Sequence, residues 1–219
     1  MPYAIFENVQ KQGNAMLLYD AVNPAPNPRR VRIFLAEKGI KLPVRVLSIV
    51  NGEHKGDEFL AINPLGQVPA LALDDGEVIT ESVSICRFLD ALHPDPPLFG
   101  KTPKAIAEID MMVRRVELRL MVPVGMVWLH THPYTARVVK PQFPDFGETQ
   151  RRRAQAVMAE FDRALAGRQW LAGKEFSMAD IVLLTTIDFA GWIGLPVPAE
   201  LAALNDWHAR ASARESAAA

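Results

Sequence analysis

A chain of 219 residues that is 49% hydrophobic has enough apolar side chain for one large core or two smaller ones, so folding needs no metal or disulfide staple. Its 24 basic and 25 acidic residues are interspersed and leave a formal charge of −1, which excludes the concentrated positive field that nucleic acid or an anionic membrane surface requires. The single cysteine, Cys86, excludes an intrachain disulfide and fits a reducing compartment, and no apolar run reaches the ~18 residues of a membrane span.

Residues 1–15 lack the charged and apolar regions of a leader and carry no clear period, so they are expected to be a flexible extension of a cytoplasmic protein, with Met16 as an alternative start. MLLYD (16–20) predicts a short strand. NPRRVRIFLAEKG follows as a helix, with Asn27 as N-cap, Pro28 at the first helical position and Gly39 just past the end. LPVRVLSIV (42–50) has the β-branched content of a second strand, and GEHKGDEFLAIN (52–63) reads as a polar loop entering a short helix before Pro64. PALAL and EVIT predict a hairpin across Asp74, Asp75 and Gly76. SVSICRFLDALH then repeats apolar residues at Ile85, Phe88, Leu89 and Leu92, a helical stripe. The order β-α-β-α-β-β-α is that of an α/β thioredoxin-like domain with a mixed four-stranded sheet.

HPDPPLFGKTP (93–103) carries four prolines and reads as a linker. Everything beyond it is helical in pattern. Ile106, Ile109, Val113, Val116 and Leu120 fall at heptad-like spacing, with a kink expected at Pro123. Val157, Met158, Phe161 and Leu165 form another stripe, and Leu201, Leu204 and Trp207 mark a last helix. FSMADIVLL opens a further helix in which Ser177 and Asp180 have capping-box spacing, with Asp in place of the usual Glu. The expected organisation is therefore an extension (1–15), a thioredoxin-like domain (16–94), a linker (95–102) and an all-α domain (103–219).

Taken together, RRVRIFLAEKG, GEHKGDEFLAINPLGQVPAL, DDGEVITES and FSMADI make residues 16–210 resemble a cytosolic glutathione S-transferase of the theta-like bacterial and fungal branch. The resemblance implies the glutathione S-transferase fold, glutathione as co-substrate, a hydrophobic electrophile as acceptor, a role in detoxification and a homodimer. It also implies a cis bond at Val68-Pro69, with the Val68 backbone left to pair with the cysteinyl residue of glutathione as an added strand would. Glu81 and Ser82 match the family's γ-glutamyl contacts: the hydroxyl and free N–H groups at a helix start suit a carboxylate, and Glu81 suits the ammonium. His54 matches a glycyl-carboxylate contact, and Lys55 is a further candidate there. Trp128, His130 and Tyr134 are the candidate walls of an electrophile pocket between the domains. Two histidines, His130 and His132, are too few ligands for a metal, so no metal is expected. Cys86 lies beside the apolar stripe of its helix and reads as a buried, inert thiol.

The family's usual thiol helper is Tyr, Ser or Cys near the end of the first strand, and the loop DAVNPAPN (20–27) has none of them. Lowering a thiol pKa from ~8.5 to ~6.5 takes about 2.7 kcal/mol of preferential thiolate stabilisation. A helix N-terminus supplies ~0.3–1 kcal/mol, at best ~2, and one hydrogen bond to the charged sulfur ~1.5–3 kcal/mol. Asn27 is therefore the first candidate donor, with a bound water or His130 as the competing source. Tyr19, in LLYD, looks like the structural tyrosine of non-tyrosine branches. The missing helper favours a rival from another class, a non-catalytic ligand carrier or interaction module of the same fold; within the enzyme class, a glutathione-dependent peroxidase or dehalogenase is the further alternative. A maleylacetoacetate isomerase is disfavoured because the serine-rich first loop of that branch is missing.

Overall fold

The computed structural model describes residues 16–219; the expectation for residues 1–15 lies outside the described residues. Two compact units divide the chain, one ending at Pro96 and the other spanning Pro97–Ala218.

In the first unit, β1 (Leu17–Asp20) is followed by α1 (Pro26–Lys38), β2 (Val44–Val46), a 3₁₀ turn at Glu53–Lys55, α2 (Asp57–Leu60), β3 (Ala70–Ala72), β4 (Val78–Thr80) and α3 (Ser82–Leu92). The sheet order is β2-β1-β3-β4. β1 runs parallel to β2 and antiparallel to β3, and β4 is antiparallel to β3, so the sheet is mixed as expected. Side chains alternate across a strand. Tyr19, Ala70 and Ala72 thus share one face and pack with Leu47, Phe59 and Ile62. Leu18 and Leu71 point the other way and are fully buried, as are Ile33 and Phe34 of α1 and Ile85 and Leu89 of α3. Gly39 ends α1 in the left-handed region, where a side chain would be strained. Gly76, at φ 88°, closes the hairpin, and Glu77 N–H donates to the Asp75 carboxylate across the turn.

Three expectations are corrected here. α1 starts two residues earlier than predicted, with Ala25 at the cap position and no side-chain cap bond, so Asn27 lies inside the first turn. Pro26 has the fixed φ and missing N–H that suit the first helical position as well as Pro28 does. The second strand is confined to Val44–Val46, at the sheet edge. Leu92, read as part of the α3 stripe, is 52% exposed.

The second unit holds α4 (Pro103–Arg115), a π-helical turn (Val116–Met121), α5 (Val122–Thr131), a 3₁₀ turn (Thr135–Arg137), α6 (Pro144–Leu165), α7 (Met178–Trp192), α8 (Ala202–Ser212) and a final 3₁₀ turn (Glu215–Ala218). The irregularity expected at Pro123 is a widened turn just before it. Proline offers no N–H to the carbonyl four residues back and crowds it, and a π turn relieves such a mismatch. Ile109, Val113, Val116 and Leu120 are buried, whereas Ile106 is exposed. α7 is the centre of the unit: apolar around its whole circumference, it is buried from Met178 through Ile187. Thr185 and Thr186 survive there because their hydroxyls donate back to the Ile181 and Val182 carbonyls. The Ser177–Asp180 capping box is formed, and Asp180 also receives Leu171 N–H at 2.8 Å and Trp207 Nε1–H at 2.9 Å.

Candidate functional site

The β3–β4 register assembles the centre of the site. Its last pair is Ala70 with Thr80. The chain leaves the ladder there on both sides: Pro69 directly precedes Ala70 on one strand and Glu81 directly follows Thr80 on the other, so both segments start from the same end of the hairpin. Val68-Pro69 is cis, and the Val68 N–H and C=O have no backbone partner among the described residues. The Val68 side chain is half-buried against the Tyr19 cluster, which fixes the turn from below. Among the described residues Glu81 is the one non-glycine with positive φ, at 66°. Such a conformation is costly for a residue with a Cβ and persists only where the surroundings dictate it, so it marks a place of interest. It turns the chain from β4 into α3. Ser82, the first residue of α3, is 4% exposed. The helix leaves the N–H groups of its first residues without helical partners, the electropositive end that receives anions.

The 3₁₀ turn carries His54 and Lys55 to the loop that leads into Val68. Lys55 Nζ donates to the Leu65 carbonyl at 3.0 Å. A Cβ on Gly66 would stand 2.7 Å from the His54 carbonyl oxygen, so glycine is what lets the two segments approach, and its φ of 58° agrees. Asn63, 3% exposed, locks the same loop: its amide donates to the Gln67 carbonyl at 2.8 Å and its Oδ1 accepts Leu65 N–H at 3.2 Å. Burial, and next the Lys55 ammonium, hold His54 below the ordinary histidine value. Its Nδ1 is buried without a hydrogen-bond partner.

The loop after β1 is braced from α1. Arg32 Nη1 donates to both Asp20 carboxylate oxygens, at 2.8 and 3.0 Å, and to the Ala21 carbonyl at 2.8 Å, while Nη2 reaches the Asn23 side chain. Asn27 follows, half-buried, between two prolines. Because Pro26 and Pro28 lack N–H groups, Asn27 carries the only backbone donor among the first three residues of α1. Tyr19 lies in the core, 4% exposed, with its ring 5.3 Å from that of Phe59; burial pushes its hydroxyl up. Cys86 is fully buried and its thiol is pushed up by that burial, which makes it a poor nucleophile.

In the helical unit Trp128 and Tyr134 stack with ring centroids 5.8 Å apart, and His132, Phe189 and Trp192 also meet Trp128. His130 is not in that group. Two residues along a helix is a rotation of about 200°, and His130 meets Phe143 and Phe146 instead. Its Nδ1 accepts Phe143 N–H at 3.3 Å, leaving Nε2 to carry the proton of the neutral ring. No group of three His, Cys, Asp or Glu side chains is placed to hold a metal among the described residues.

Sequence reasoning passed over Arg30, Arg32 and Asn63. Arg30, 2% exposed, lies with Nη1 3.4 Å from Ser82 Oγ. In RRVR the arginines look like a solvated face, and nothing local separates the buried one from its neighbours. Asn63 had a signal: Asn before Pro, three residues ahead of Gly66, is a turn composition.

The family model described as "Glutathione S-transferase, N-terminal domain" matches residues 25–92, and "Glutathione S-transferase, C-terminal domain" matches residues 128–215. Glutathione S-transferase 2 of Saccharomyces cerevisiae is 41% identical over 218 residues, covering 98% of this chain and 93% of the relative. The crystal structure of Gtt2 from Saccharomyces cerevisiae superposes with a TM-score of 0.85 at 40% identity, over 91% of this chain and 97% of that one. A glutathione S-transferase domain-containing protein of Marinobacter aquaeolei gives a TM-score of 0.85 at 38% identity, over 91% and 98% of the two chains. Matches in both halves, together with a relative of that identity along nearly the whole length, place the chain in the glutathione S-transferase family.

Proposed function

We propose that the chain is a glutathione transferase. The observation that carries the reading is the meeting, at the open end of the hairpin register, of an unpaired backbone at Val68 with the turn that presents Glu81 and Ser82. The Val68 N–H and C=O pair with the cysteinyl backbone of glutathione. Ser82 and the start of α3 take the γ-glutamyl carboxylate, and Glu81 takes the ammonium. His54 and Lys55 receive the glycyl carboxylate; the orphaned, buried Nδ1 of His54 supports its having a partner when the ligand is present. Asn27, through its side-chain amide or its backbone N–H, donates to the sulfur and favours the thiolate, with His130 as the second candidate donor. The sulfur then attacks an electrophilic carbon, forming the carbon–sulfur bond as the leaving group departs with its electron pair. Trp128 and Tyr134, whose rings stack, are proposed to contact the hydrophobic electrophile; His130, turned toward Phe143 and Phe146, is not in that wall. No metal takes part.

The protein is proposed to work as a cytoplasmic homodimer in detoxification. No described helix is long and apolar enough to cross a membrane. Met111, Leu118 and Val122, exposed along α4, the π turn and α5, supply an apolar surface that a second copy would cover.

An ultraviolet difference titration of glutathione on the purified protein, from about pH 5 to 9, tests the reading together with turnover of a chlorodinitrobenzene. A bound-thiol transition well below the free value, with conjugate formed, supports it. The second reading, a carrier or interaction module, draws on the absence of Ser, Tyr or Cys from residues 20–27. Saturable glutathione binding with an unshifted thiol and no conjugate would establish that one.

A further inference from the structure

The geometry points to Arg30 as a positioning residue that makes the site selective for a carboxylate on the γ-glutamyl end of its ligand, acting through Ser82. This inference rests on the reading that glutathione binds at Glu81–Ser82.

Arg30 is the fifth residue of α1, and with 2% of its surface exposed it is among the most deeply buried charged side chains described. One of its partners is the Ser82 hydroxyl: Nη1 stands 3.4 Å from Oγ, a long hydrogen bond. A guanidinium has donors only and keeps its charge at any working pH. The Ser82 oxygen therefore accepts from Arg30, and its own hydrogen is directed elsewhere, as a donor. Without such a neighbour a serine at a helix start can equally well accept; with it, the hydroxyl is set to meet an acceptor such as a carboxylate oxygen.

Ser82 and Cys86 are four residues apart, on one face of α3. The Cys86 thiol, pushed up by burial, is pulled back by the Arg30 charge and pushed up again by the Asp90 carboxylate, so the guanidinium also lies close to the next turn of the helix. The N-terminal end of a helix is already positive. The two positive contributions reinforce each other at one place, the start of α3, where an anion gains from both. Glu81, turned out at positive φ and exposed, is the negative counterpart available to the ammonium of the same ligand. Acceptor and donor groups for a zwitterionic α-amino acid end thus stand on consecutive residues, with Arg30 behind the donor.

The test compares glutathione with γ-aminobutyryl-cysteinylglycine, which lacks only the α-carboxylate, in conjugation to a chlorodinitrobenzene by the full chain. For the unmodified protein the KM for the decarboxylated peptide is expected to exceed that for glutathione. Arg30→Met is expected to raise the glutathione KM about tenfold or more, the loss of one charge-assisted interaction, with kcat within about twofold and the KM of the decarboxylated peptide unchanged. Arg30→Gln, which keeps a donor without the charge, provides the same comparison if Arg30→Met does not fold, and Arg30→Lys is expected to recover part of the loss. Equal KM increases for both peptides would show a merely structural role and overturn the inference, as would a folded Arg30→Gln with an unchanged glutathione KM. If the unmodified protein turns over glutathione but does not distinguish the two peptides, the inference fails while the transferase reading stands. If it neither binds nor turns over glutathione, both fall.

Discussion

Replacing Asp180 by asparagine shows how much of the helical unit depends on one buried carboxylate. Oδ1 accepts Leu171 N–H at 2.8 Å and Trp207 Nε1–H at 2.9 Å; Oδ2 accepts Ser177 N–H at 3.1 Å and the Ser177 hydroxyl at 3.0 Å. These four donors tie together the segment before α7, the start of α7 and the middle of α8. Burial pushes the carboxyl up, and the four donors pull it back. Asparagine has the same shape but only one acceptor oxygen, so its NH₂ group must face one pair of donors. The Ser177 hydroxyl can rotate to accept; the Ser177 N–H cannot, and is stranded. One stranded buried donor costs about 1–3 kcal/mol, and the remaining bonds lose their charge assistance, for a total of about 2–4 kcal/mol. In a chain of this size each kcal/mol lowers Tm by roughly 2–4 °C, so a fall of about 5–15 °C is expected. Thermal unfolding by circular dichroism measures it. A Tm within about 3 °C of the unmodified protein would refute the reasoning.

Other expectations are as direct. In Gly147→Ala the new Cβ would stand 2.4 Å from Thr131 Cγ2, while the Thr131 hydroxyl is held on the Val127 carbonyl at 2.8 Å and resists rotation. A loss of about 1–3 kcal/mol in chemical denaturation is expected, and Thr131→Ser in the same chain should recover it; no loss would mean that α5 and α6 separate freely. His54, held low by burial and then by Lys55, should titrate by NMR below the ordinary value of 6.5. The sign follows from proton uptake: the unfolded chain binds the proton first, so the contribution of His54 to stability is present above about pH 6.5 and is lost as pH falls through the depressed value. A midpoint at or above 6.5 would contradict the burial argument. Asn27→Ala should cut kcat/KM for conjugation about tenfold if its side-chain amide supplies the hydrogen bond to the thiolate, and full turnover in that variant would remove the side-chain amide from the mechanism and leave the Asn27 backbone N–H as the donor. Cys86 should resist thiol reagents in the folded protein, so rapid labelling without unfolding would be inconsistent with its burial.

What the sequence determined by itself was local. Gly39 past the end of α1, the Asp74–Gly76 turn and the Ser177–Asp180 box each depend on residues within a few positions of one another, and each formed as expected. The hairpin register is local as well, and its last pair, Ala70 with Thr80, sets Pro69 and Glu81 at the same end of the hairpin. The start of α1 differs from the expected one for a local reason, since Pro26 and Pro28 both suit the first turn and the helix begins at the earlier. Even the separation of His130 from Trp128 follows from a spacing of two on a helix. The tertiary structure decided which of several equivalent-looking residues went inside. Arg29, Arg30 and Arg32 cannot be ranked by composition, yet packing of α1 against the sheet and α3 buries Arg30 beneath Ser82 and leaves Arg32 to brace the β1 loop. The π turn before Pro123, the approach of Gly66 to His54 and the four donors around Asp180 depend likewise on segments far apart in the chain. Periodicity shows that a residue faces inward, and only the packed neighbours determine what it meets there.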